Sequence, residues 1–151
     1  MKDISEFILV NQVRDIKAEI KDEALVELCN MVSDNPAVTD PNDFLAAIRD
    51  REKIMSTGIG TGIALPHSRI SSLNDFVIAV GRSKKGIEFE SLDGLPVHIF
   101  VILGAPERKR REFLKLIARI GVIFEKPGFN KKFMEAETSE DMFELLVKSF
   151  K

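Results

Sequence analysis

The sequence is short of the residues on which several classes of protein depend. It has one cysteine, Cys29, so an internal disulfide is impossible and a reducing compartment such as the cytoplasm fits best. One cysteine and two well-separated histidines, His67 and His98, cannot supply a common zinc pattern, and we expect no metal ion. The net charge is only −2, which gives no general attraction to nucleic acid or to a membrane surface.

Long hydrophobic runs are also missing. No stretch approaches the roughly 20 apolar residues that a membrane span requires, so we expect no stable membrane insertion. The first ten residues, MKDISEFILV, carry acids and have no long apolar run, unlike a signal peptide. The content of 44% hydrophobic and 30% charged residues is typical of a globular protein, and a length of 151 residues suits one domain. We therefore predict a single domain over 1–151, located in the cytoplasm.

The spacing of apolar residues predicts helices at both ends of the chain and strands between them. Helices are predicted over 21–35, 40–55, 111–125, 127–136 and 138–150, and strands over 62–67, 76–82 and 96–105. Asp40 before Pro41 and Thr138 before Asp141 have the spacing of helix N-caps. Alternation places Val97 with Ile99, Val101 and Leu103 on one face of the last strand, and His98 with Phe100 and Ile102 on the other. This order of elements predicts an α/β fold with helices packed on a central sheet.

One stretch, GIGTGIALPHSRI at 58–70, combines a glycine-rich turn with a histidine. Glycines let backbone N–H groups converge on one point, and such arrangements bind anions. Candidate anion-binding residues are Ser56, Thr57, Gly58, Gly60 and Gly62. A neutral imidazole is a nucleophile near pH 7, so His67 beside such a cradle could carry a phosphoryl group. The alternative is an ordinary tight turn followed by a structural histidine; the spacing does not match a dinucleotide-binding fingerprint.

Arg51 adds a second candidate on the preceding helix. At 100° per residue it falls within the arc of Phe44, Ile48 and Met55, so it is predicted to face inward. A buried guanidinium needs an anionic partner, because an unpaired buried charge costs several kcal/mol. A phosphate or phosphohistidine would supply that partner. A side chain that reaches water, or an ion pair with a distant acid, remains the alternative.

The residues from Arg51 to His67 closely resemble a family signature. REK…STGIGTGIALPH is similar to the signature of type-2 EIIA domains of the bacterial phosphotransferase system, the fructose, mannitol and nitrogen class, and the spacing from arginine to histidine also matches. The later SLDGLPVHIFVILGAPE resembles the family's D-G-x-P-V strand and its P-E turn into a helix. The resemblance covers nearly the whole chain and implies the mannitol-EIIA-like sandwich, a central mixed β-sheet flanked by helices.

The resemblance also implies a mechanism. EIIA domains accept a phosphoryl group from phosphohistidine on an HPr-like phosphocarrier and commonly pass it to an EIIB domain. His67 would be the phosphorylated residue and Arg51 would neutralise the incoming group, with the glycine turn, Ser56 and Thr57 lining the pocket. Phosphoryl transfer depends mainly on positioning and electrostatics, and no cofactor is needed because donor and acceptor are both protein histidines.

The sequence departs from the family at two ring positions. Many members carry a second active-site histidine in the helix after the P-E turn, and Phe113 stands at that position here. Phe113 lies on the apolar stripe of its helix, and its ring offers the phosphoryl group no hydrogen bond; Arg111 or Lys115 could replace that donor. His98 stands where the family often has an acid. A structural role is favoured for it, and a place beside His67 is the alternative.

The segment ERKRRE, 107–112, is the third departure. Four cations at the start of a helix oppose the positive end of its dipole, so helix stability does not explain them. They are either a solvated face or a basic docking patch suited to an acidic partner.

Two phosphocarrier functions stay open, along with one function of a different class. A phosphocarrier could feed an EIIB domain in sugar uptake, or it could be a nitrogen-type regulator whose phosphorylation changes which protein it binds. The absence of fused EIIB, EIIC and HPr segments in this sequence, and of the second histidine, favours the regulator. The alternative is an interaction module that keeps the fold without transfer. A nucleotide-binding enzyme is disfavoured, because a Walker lysine is missing.

Overall fold

A computed structural model describes residues 6–151, which form five α-helices, a short 3-10 helix (Val10–Gln12) and six strands. The strands are β1 (Val13–Asp15), β2 (Gly58–Gly60), β3 (Ile63–Ala64), β4 (His67–Ile70), β5 (Val77–Ile87) and β6 (Val97–Pro106). The helices are α1 (Lys21–Met31), α2 (Pro41–Ile54), α3 (Arg110–Glu125), α4 (Phe129–Glu135) and α5 (Ser139–Ser149). The first five residues of the segment compared with a signal peptide lie outside the described residues.

The strands form one mixed sheet, as predicted. Its order is β1-β5-β6-β3-β2, and β4 also pairs with β6. The long strands β5 and β6 are antiparallel, whereas β1 is parallel to β5. The edge of β6 away from β5 is shared by β3 and β4, both parallel to it, and β2 folds back antiparallel on β3. The chain from β2 to β4 thus runs along one side of β6.

Helices cover both faces of this sheet and bury two hydrophobic cores. On one face, α3, α4 and α5 pack over Ile99, Val101 and Leu103 of β6. On the other face, α1 and α2 pack over Phe100 and Ile102. The alternation of side chains along β6 therefore supplies both cores, and the predicted sandwich is confirmed. No helix of residues 6–151 has the length and hydrophobicity to cross a membrane.

The predicted face of Val97 was wrong. Val97 packs with Phe100 and Ile102 rather than with Ile99. The backbone N–H groups of His98 and Ile99 both donate to the carbonyl of Gly62, at 2.8 and 3.0 Å. Two successive residues thus share one acceptor, as in a β-bulge, and the alternation shifts at that point.

The predicted helix caps are confirmed. Asp40 accepts from the backbone N–H of Asp43 at 3.1 Å, and Thr138 accepts from that of Asp141 at 3.1 Å. The helix α3 begins differently, because Lys109 at its N-cap makes no side-chain cap. Its first turn, in the basic segment 107–112, is therefore left without the hydrogen bond that most helices use there.

Three strands were not predicted from the sequence: β1, β2 and β4. Each has three or four residues, too few to show alternation. The strand β4 reads HSRI and is all half-buried, so nothing in its own composition indicates a strand. Its pairing with β6 fixes it instead, with His67 opposite Leu103 and Arg69 opposite Ala105.

Candidate functional site

His67 lies at the first position of β4, where the sheet meets the start of α3. Its register partner Leu103 belongs to the core on the α3 side, so His67 faces that side as well. The His67 ring lies against the ring of Phe113, with centroids 5.8 Å apart and planes tilted by 53°. Phe113 is buried, and His67 is half-buried. The imidazole is thus held between the sheet edge and the first turn of a helix.

One hydrogen bond fixes the tautomer of this ring. The Nδ1 atom of His67 lies 2.7 Å from the carbonyl oxygen of Leu65. A carbonyl only accepts, so Nδ1 carries the proton and donates it. In the neutral ring, Nε2 is then unprotonated and has a free lone pair. The structure thus assigns Nε2 as the nucleophilic atom.

The surroundings of His67 favour this neutral form. Burial, the largest effect, lowers the pKa of His67 below its ordinary value. The hydrogen bond to Leu65 opposes that shift, the positive charge of Arg51 lowers the pKa further, and the negative charge of Glu52 raises it. The net direction is downward, so the ring at neutral pH is predominantly a neutral nucleophile.

We expect an NMR titration to give His67 a pKa below the ordinary 6.5. The folded protein disfavours the proton relative to the unfolded chain, so protonation of His67 weakens the fold as pH falls below 6.5. Histidine ¹H–¹⁵N spectra across pH 4.5–8 measure this value, and loss of the signal in a His67 variant assigns it. A pKa of His67 above 6.5 would contradict the described environment.

Arg51 lies near the end of α2, the helix that packs beside β4. It is half-buried, its Nη1 donates to the carbonyl of Met55 at 3.0 Å, and it forms no ion pair with any of residues 6–151. The inward stripe is confirmed for Phe44 and Ile48, but Met55 is 63% exposed because the helix has ended before it. Arg51 thus retains donors for an anion, and its charge acts on His67.

Glu52, next to Arg51, was missed by the sequence analysis. It is only 6% exposed, and its carboxylate accepts from Thr57, from the backbone N–H at 2.8 Å and from Oγ1 at 2.7 Å. The Nζ of Lys21 lies 3.0 Å from the same carboxylate. Glu52 therefore fixes the chain where it leaves α2 and turns toward β2, which sets the place of Arg51 relative to the sheet.

Replacing Glu52 by alanine should lower the free energy of unfolding by about 3 kcal/mol, because it leaves two buried donors of Thr57 and the ammonium of Lys21 without their partner. Urea denaturation measures the change. Asp50→Ala is the matched control, since Asp50 is an exposed acid on the same helix, and it should change the value by less than about 0.5 kcal/mol. Equal effects of the two substitutions would contradict the positioning role of Glu52.

The glycine turn does not lie beside His67. Gly60 pairs with Ile63, which pairs with Ile99, whereas His67 pairs with Leu103. Four residues along β6 separate the two levels, about 13 Å. The turn does bind an anionic group, because the N–H of Thr61 donates to the carboxylate of Asp93 at 2.9 Å.

Contacts with Asp93 and Ser91, together with positive φ angles, account for the glycines of this stretch. A Cβ on Gly60 would lie 3.2 Å from the Asp93 carboxylate, and one on Gly58 would lie 2.4 Å from the hydroxyl of Ser91. Gly60 and Gly62 also have positive φ angles of 96° and 82°, which glycine adopts without strain. Hydrogen bonds from Leu95 and Thr61 hold the pKa of Asp93 below its usual value. These contacts explain the glycines without a bound phosphate.

Ser56 and Thr57 use their hydroxyl groups within the protein. The hydroxyl of Ser56 donates to the carbonyl of Phe89 at 2.7 Å, and that of Thr57 donates to Glu52. The segment before β2 runs antiparallel to the segment after β3, because the N–H of Leu65 donates to the carbonyl of Thr57. This pairing brings residues 55 and 56 toward His67. Their backbone is therefore nearer to the imidazole than the glycine turn is.

His98 lies elsewhere on the sheet. It is five residues from Leu103 along β6, and its Nδ1 lies 2.9 Å from the carbonyl of Ser83. A Cβ on Gly86 would lie 2.9 Å from its ring, so the imidazole packs closely over that backbone. These contacts support the structural role favoured from the sequence.

The basic segment reaches the surface beside His67. Arg69, two residues after His67 on β4 and on the same face, donates from Nη1 to the carbonyl of Glu107. Phe113, the fourth residue of α3, touches the His67 ring. Arg111 and Lys115, the suggested substitute donors, are exposed, and their side chains make no hydrogen bond or ion pair with residues 6–151. Arg69 could have been found only by recognising β4 as a strand.

Among residues 6–151, no cluster of three or more His, Cys, Asp or Glu side chains could hold a metal ion. The groups that the site itself offers are a neutral imidazole with Nε2 free and a guanidinium whose charge acts on that ring.

The fold that carries this site is shared with a known class of protein. The family model described as "Phosphoenolpyruvate-dependent sugar phosphotransferase system, EIIA 2" matches residues 7–149. The chain belongs to this family. The nitrogen regulatory protein IIA-Ntr of Neisseria meningitidis has the same fold, with a TM-score of 0.88 and 24% identity over 95% of this chain and 98% of that one.

Curated relatives include both sugar-specific and nitrogen-regulatory proteins. The chain is 30% identical to the nitrogen regulatory protein of Pseudomonas aeruginosa over 84% of its own length and 82% of that protein. It is also 30% identical, over 95% of its length, to the fructose-specific EIIABC component of Bacillus subtilis. The chain spans 23% of that larger component.

Proposed function

We propose that the chain is a phosphocarrier of the phosphotransferase system, which accepts a phosphoryl group on Nε2 of His67. The hydrogen bond from Nδ1 to the Leu65 carbonyl carries this proposal, because it leaves Nε2 unprotonated in the neutral ring. The depressed pKa of His67 adds that this neutral ring predominates near pH 7. Membership of the EIIA 2 family supports the phosphocarrier role.

The transfer balances without a proton leaving His67. The Nε2 lone pair forms a bond to phosphorus while the N–P bond of the donor phosphohistidine breaks, and that electron pair returns to the donor imidazole. The His67 ring becomes formally cationic as the new bond forms. Two groups stabilise that charge: the Leu65 carbonyl, which accepts from Nδ1, and the carboxylate of Glu52, which favours the charged form of the ring.

Arg51 is the electrostatic partner in this proposal. Its guanidinium is half-buried, pairs with no acid of residues 6–151 and acts on the His67 ring. In the transition state, charge spreads over the equatorial oxygens of the phosphoryl group, where a fixed cation is most effective. The pocket residues are then Arg51 and the backbone of 55–56. The contacts of Gly58, Gly60, Gly62 and Thr57 leave them supporting roles.

The partners follow from the class of reaction. The donor would be an HPr-like phosphocarrier, and the acceptor an EIIB domain or none in a regulator. A relative of this fold from Escherichia coli, IIA mannitol, has been solved in complex with phosphorylated IIB mannitol, with a TM-score of 0.79 and 18% identity over 94% of this chain and 99% of that one. We place the protein in the cytoplasm, where such donors operate.

Between the two phosphocarrier functions, we favour the nitrogen-type regulator over sugar uptake. Nitrogen regulatory proteins of Pseudomonas aeruginosa and Bradyrhizobium diazoefficiens match this chain over 82% and 86% of their own lengths. Phe113 packs an apolar ring against His67 and offers the phosphoryl group no donor for onward transfer. Phosphorylation adds roughly two negative charges at the surface, enough to change which protein binds there.

A phosphorylation assay tests the proposal. The protein is mixed with enzyme I, HPr and phosphoenolpyruvate, and its intact mass is read in alkaline solution, where phosphohistidine survives. We expect one phosphoryl adduct, mapped to the peptide that contains His67. A chain that stays unmodified while a known EIIA in the same mixture is phosphorylated would overturn the proposal and favour an interaction module that keeps the fold without transfer.

Onward transfer separates regulation from uptake. Phosphorylated protein is isolated and mixed with an EIIB domain, and loss of the adduct is followed over time. We expect the adduct to decay no faster than in buffer alone. Rapid transfer to EIIB would favour sugar uptake.

A further inference from the structure

A group of four exposed cations lies on and beside the first turns of α3. They are Arg108, Arg110, Arg111 and Lys115, here called the basic surface. None of the four forms an ion pair with another residue in the described range 6–151. The neighbouring Lys109 differs, because its Nζ lies 3.6 Å from Asp75 and above the ring of Phe76. The basic surface is therefore free to meet charge on another molecule.

The charges of Arg110 and Arg111 do not favour the start of α3. The N-terminus of a helix carries partial positive charge, and a cation in the first turn is unfavourable there. No side-chain cap at Lys109 offsets this, and Glu112 is the one acid in the first turn. Cations at these positions thus oppose helix formation, so their placement points to a role outside the stability of α3.

The distribution of charge along the chain isolates this surface. Residues 107–115 contain five cations and two acids, whereas the rest of the chain contains 17 cations and 22 acids. The two parts have opposite net charges, +3 and −5. An acidic partner would therefore be attracted to this region and would meet a net negative charge over the rest of the chain, which favours an encounter at the basic surface.

The basic surface borders the acceptor imidazole. The ring centroid of Phe113 lies 5.8 Å from that of His67, and Arg110, three residues earlier on α3, lies beside Phe113 on the helix surface. Arg111 and Lys115 lie on the solvent-facing side of the same turns. On the sheet side, Arg69 connects His67 to the basic surface. It follows His67 on β4 and donates to the carbonyl of Glu107, the residue before Arg108. Leu114, next to Phe113 in the sequence, is 53% exposed, so a partner could also make an apolar contact among the cations. A protein that brings a phosphohistidine to His67 must cover this region.

We propose that the basic surface is a docking site for an acidic face of the protein that delivers the phosphoryl group to His67. The proposal rests on the proposed function and adds the chemistry of the donor protein. Carboxylates surround the donor's phosphohistidine on the face that meets α3. The cations steer the encounter, while Arg51 acts on the transferring group.

Charge reversal tests this directly. The variant Arg108→Glu/Arg110→Glu/Arg111→Glu is phosphorylated by enzyme I, phosphoenolpyruvate and HPr from the organism of this chain. We expect kcat/KM for HPr to fall at least tenfold at low salt, with kcat changed less than twofold. The wild-type kcat/KM should fall steeply as salt is raised, and the variant should lose that dependence.

A matched control reverses the charge of three lysines outside the basic surface. The variant Lys126→Glu/Lys131→Glu/Lys132→Glu carries the same change in net charge on exposed residues at the far end of α3 and on α4. Since α3 has 16 residues, this end lies about 24 Å from the end of the helix at which the three reversed arginines stand. The control should keep kcat/KM within twofold of wild type. Phosphoramidate, a small phosphoryl donor that needs no docking, should phosphorylate both variants within about twofold of the wild-type rate.

The outcomes separate this proposal from the proposed function. Phosphorylated wild type with equal kcat/KM in both variants would overturn the docking site and leave the phosphocarrier intact. An equal loss with HPr and with phosphoramidate would also overturn it, because the cations would then act on the chemistry. Loss of duplex DNA binding in the first variant, without a change in kcat/KM, would assign the surface to nucleic acid instead. An unphosphorylated wild type would remove the proposed function itself.

Discussion

His67→Asn should accept no phosphoryl group from phosphorylated HPr. The Asn amide nitrogen occupies the place of Nδ1 and can still donate to the Leu65 carbonyl, the bond that holds His67 at 2.7 Å. The substitution removes Nε2 and with it the lone pair that forms the N–P bond. The fold should therefore persist while the adduct disappears, which intact mass in alkaline solution and thermal unfolding measure together.

His98→Asn is the matched control for that loss. His98 is the second histidine of the chain, and its Nδ1 also contacts a backbone carbonyl, that of Ser83 at 2.9 Å. It lies five residues along β6 from the level of His67, so its replacement should leave the extent of phosphorylation unchanged. An adduct that survives in His67→Asn and disappears in His98→Asn would reverse the assignment.

Arg51→Met should slow phosphorylation of His67 by about 10²–10³-fold, the size expected for one preorganised charge-stabilising group in the transition state. Methionine keeps part of the apolar stem and removes the guanidinium. Single-turnover transfer from phosphorylated HPr measures the rate. The same substitution should raise the pKa of His67, because the charge of Arg51 lowers it, and NMR provides that second readout.

Arg49→Met separates this effect from a general loss of charge on α2. Arg49 lies two residues earlier and pairs with Asp22 through two hydrogen bonds of 2.9 and 2.8 Å. It should lower the transfer rate by less than twofold and leave the pKa of His67 unshifted. Equal effects of the two substitutions, or an unchanged rate in Arg51→Met, would contradict the role of Arg51.

The helices and the two long strands could be predicted because each has enough residues to show its period. The stripe of α3, with Phe113, Leu116 and Ile120 buried, was visible at a spacing of three and four residues. The strand β4 was not, since its four residues show no alternation and its pairing with β6 fixes it. The two residues found only in the structure, Glu52 and Arg69, depend on contacts with Thr57 and Glu107 that no local pattern reveals.

The site was predicted in part. The pairing of Arg51 with His67 came from the spacing of a family signature, and the structure brings the charge of one to the ring of the other. The glycine turn was expected beside His67 because it is close in sequence. The six residues from Gly62 to His67 run along the edge of β6, which places the turn away from the imidazole and beside Asp93. Because the chain between the turn and His67 is extended, residues close in sequence lie far apart, and the predicted place of the turn was wrong.

The most direct test of the account is to identify which ring nitrogen of His67 carries the phosphoryl group. Protein labelled with ¹⁵N-histidine is phosphorylated with enzyme I, HPr and phosphoenolpyruvate, and long-range ¹H–¹⁵N correlation spectra are recorded in alkaline solution. The hydrogen bond from Nδ1 to Leu65 predicts phosphorylation at Nε2, with Nδ1 still protonated. Phosphorus on Nδ1, or on neither nitrogen of His67, would contradict the account.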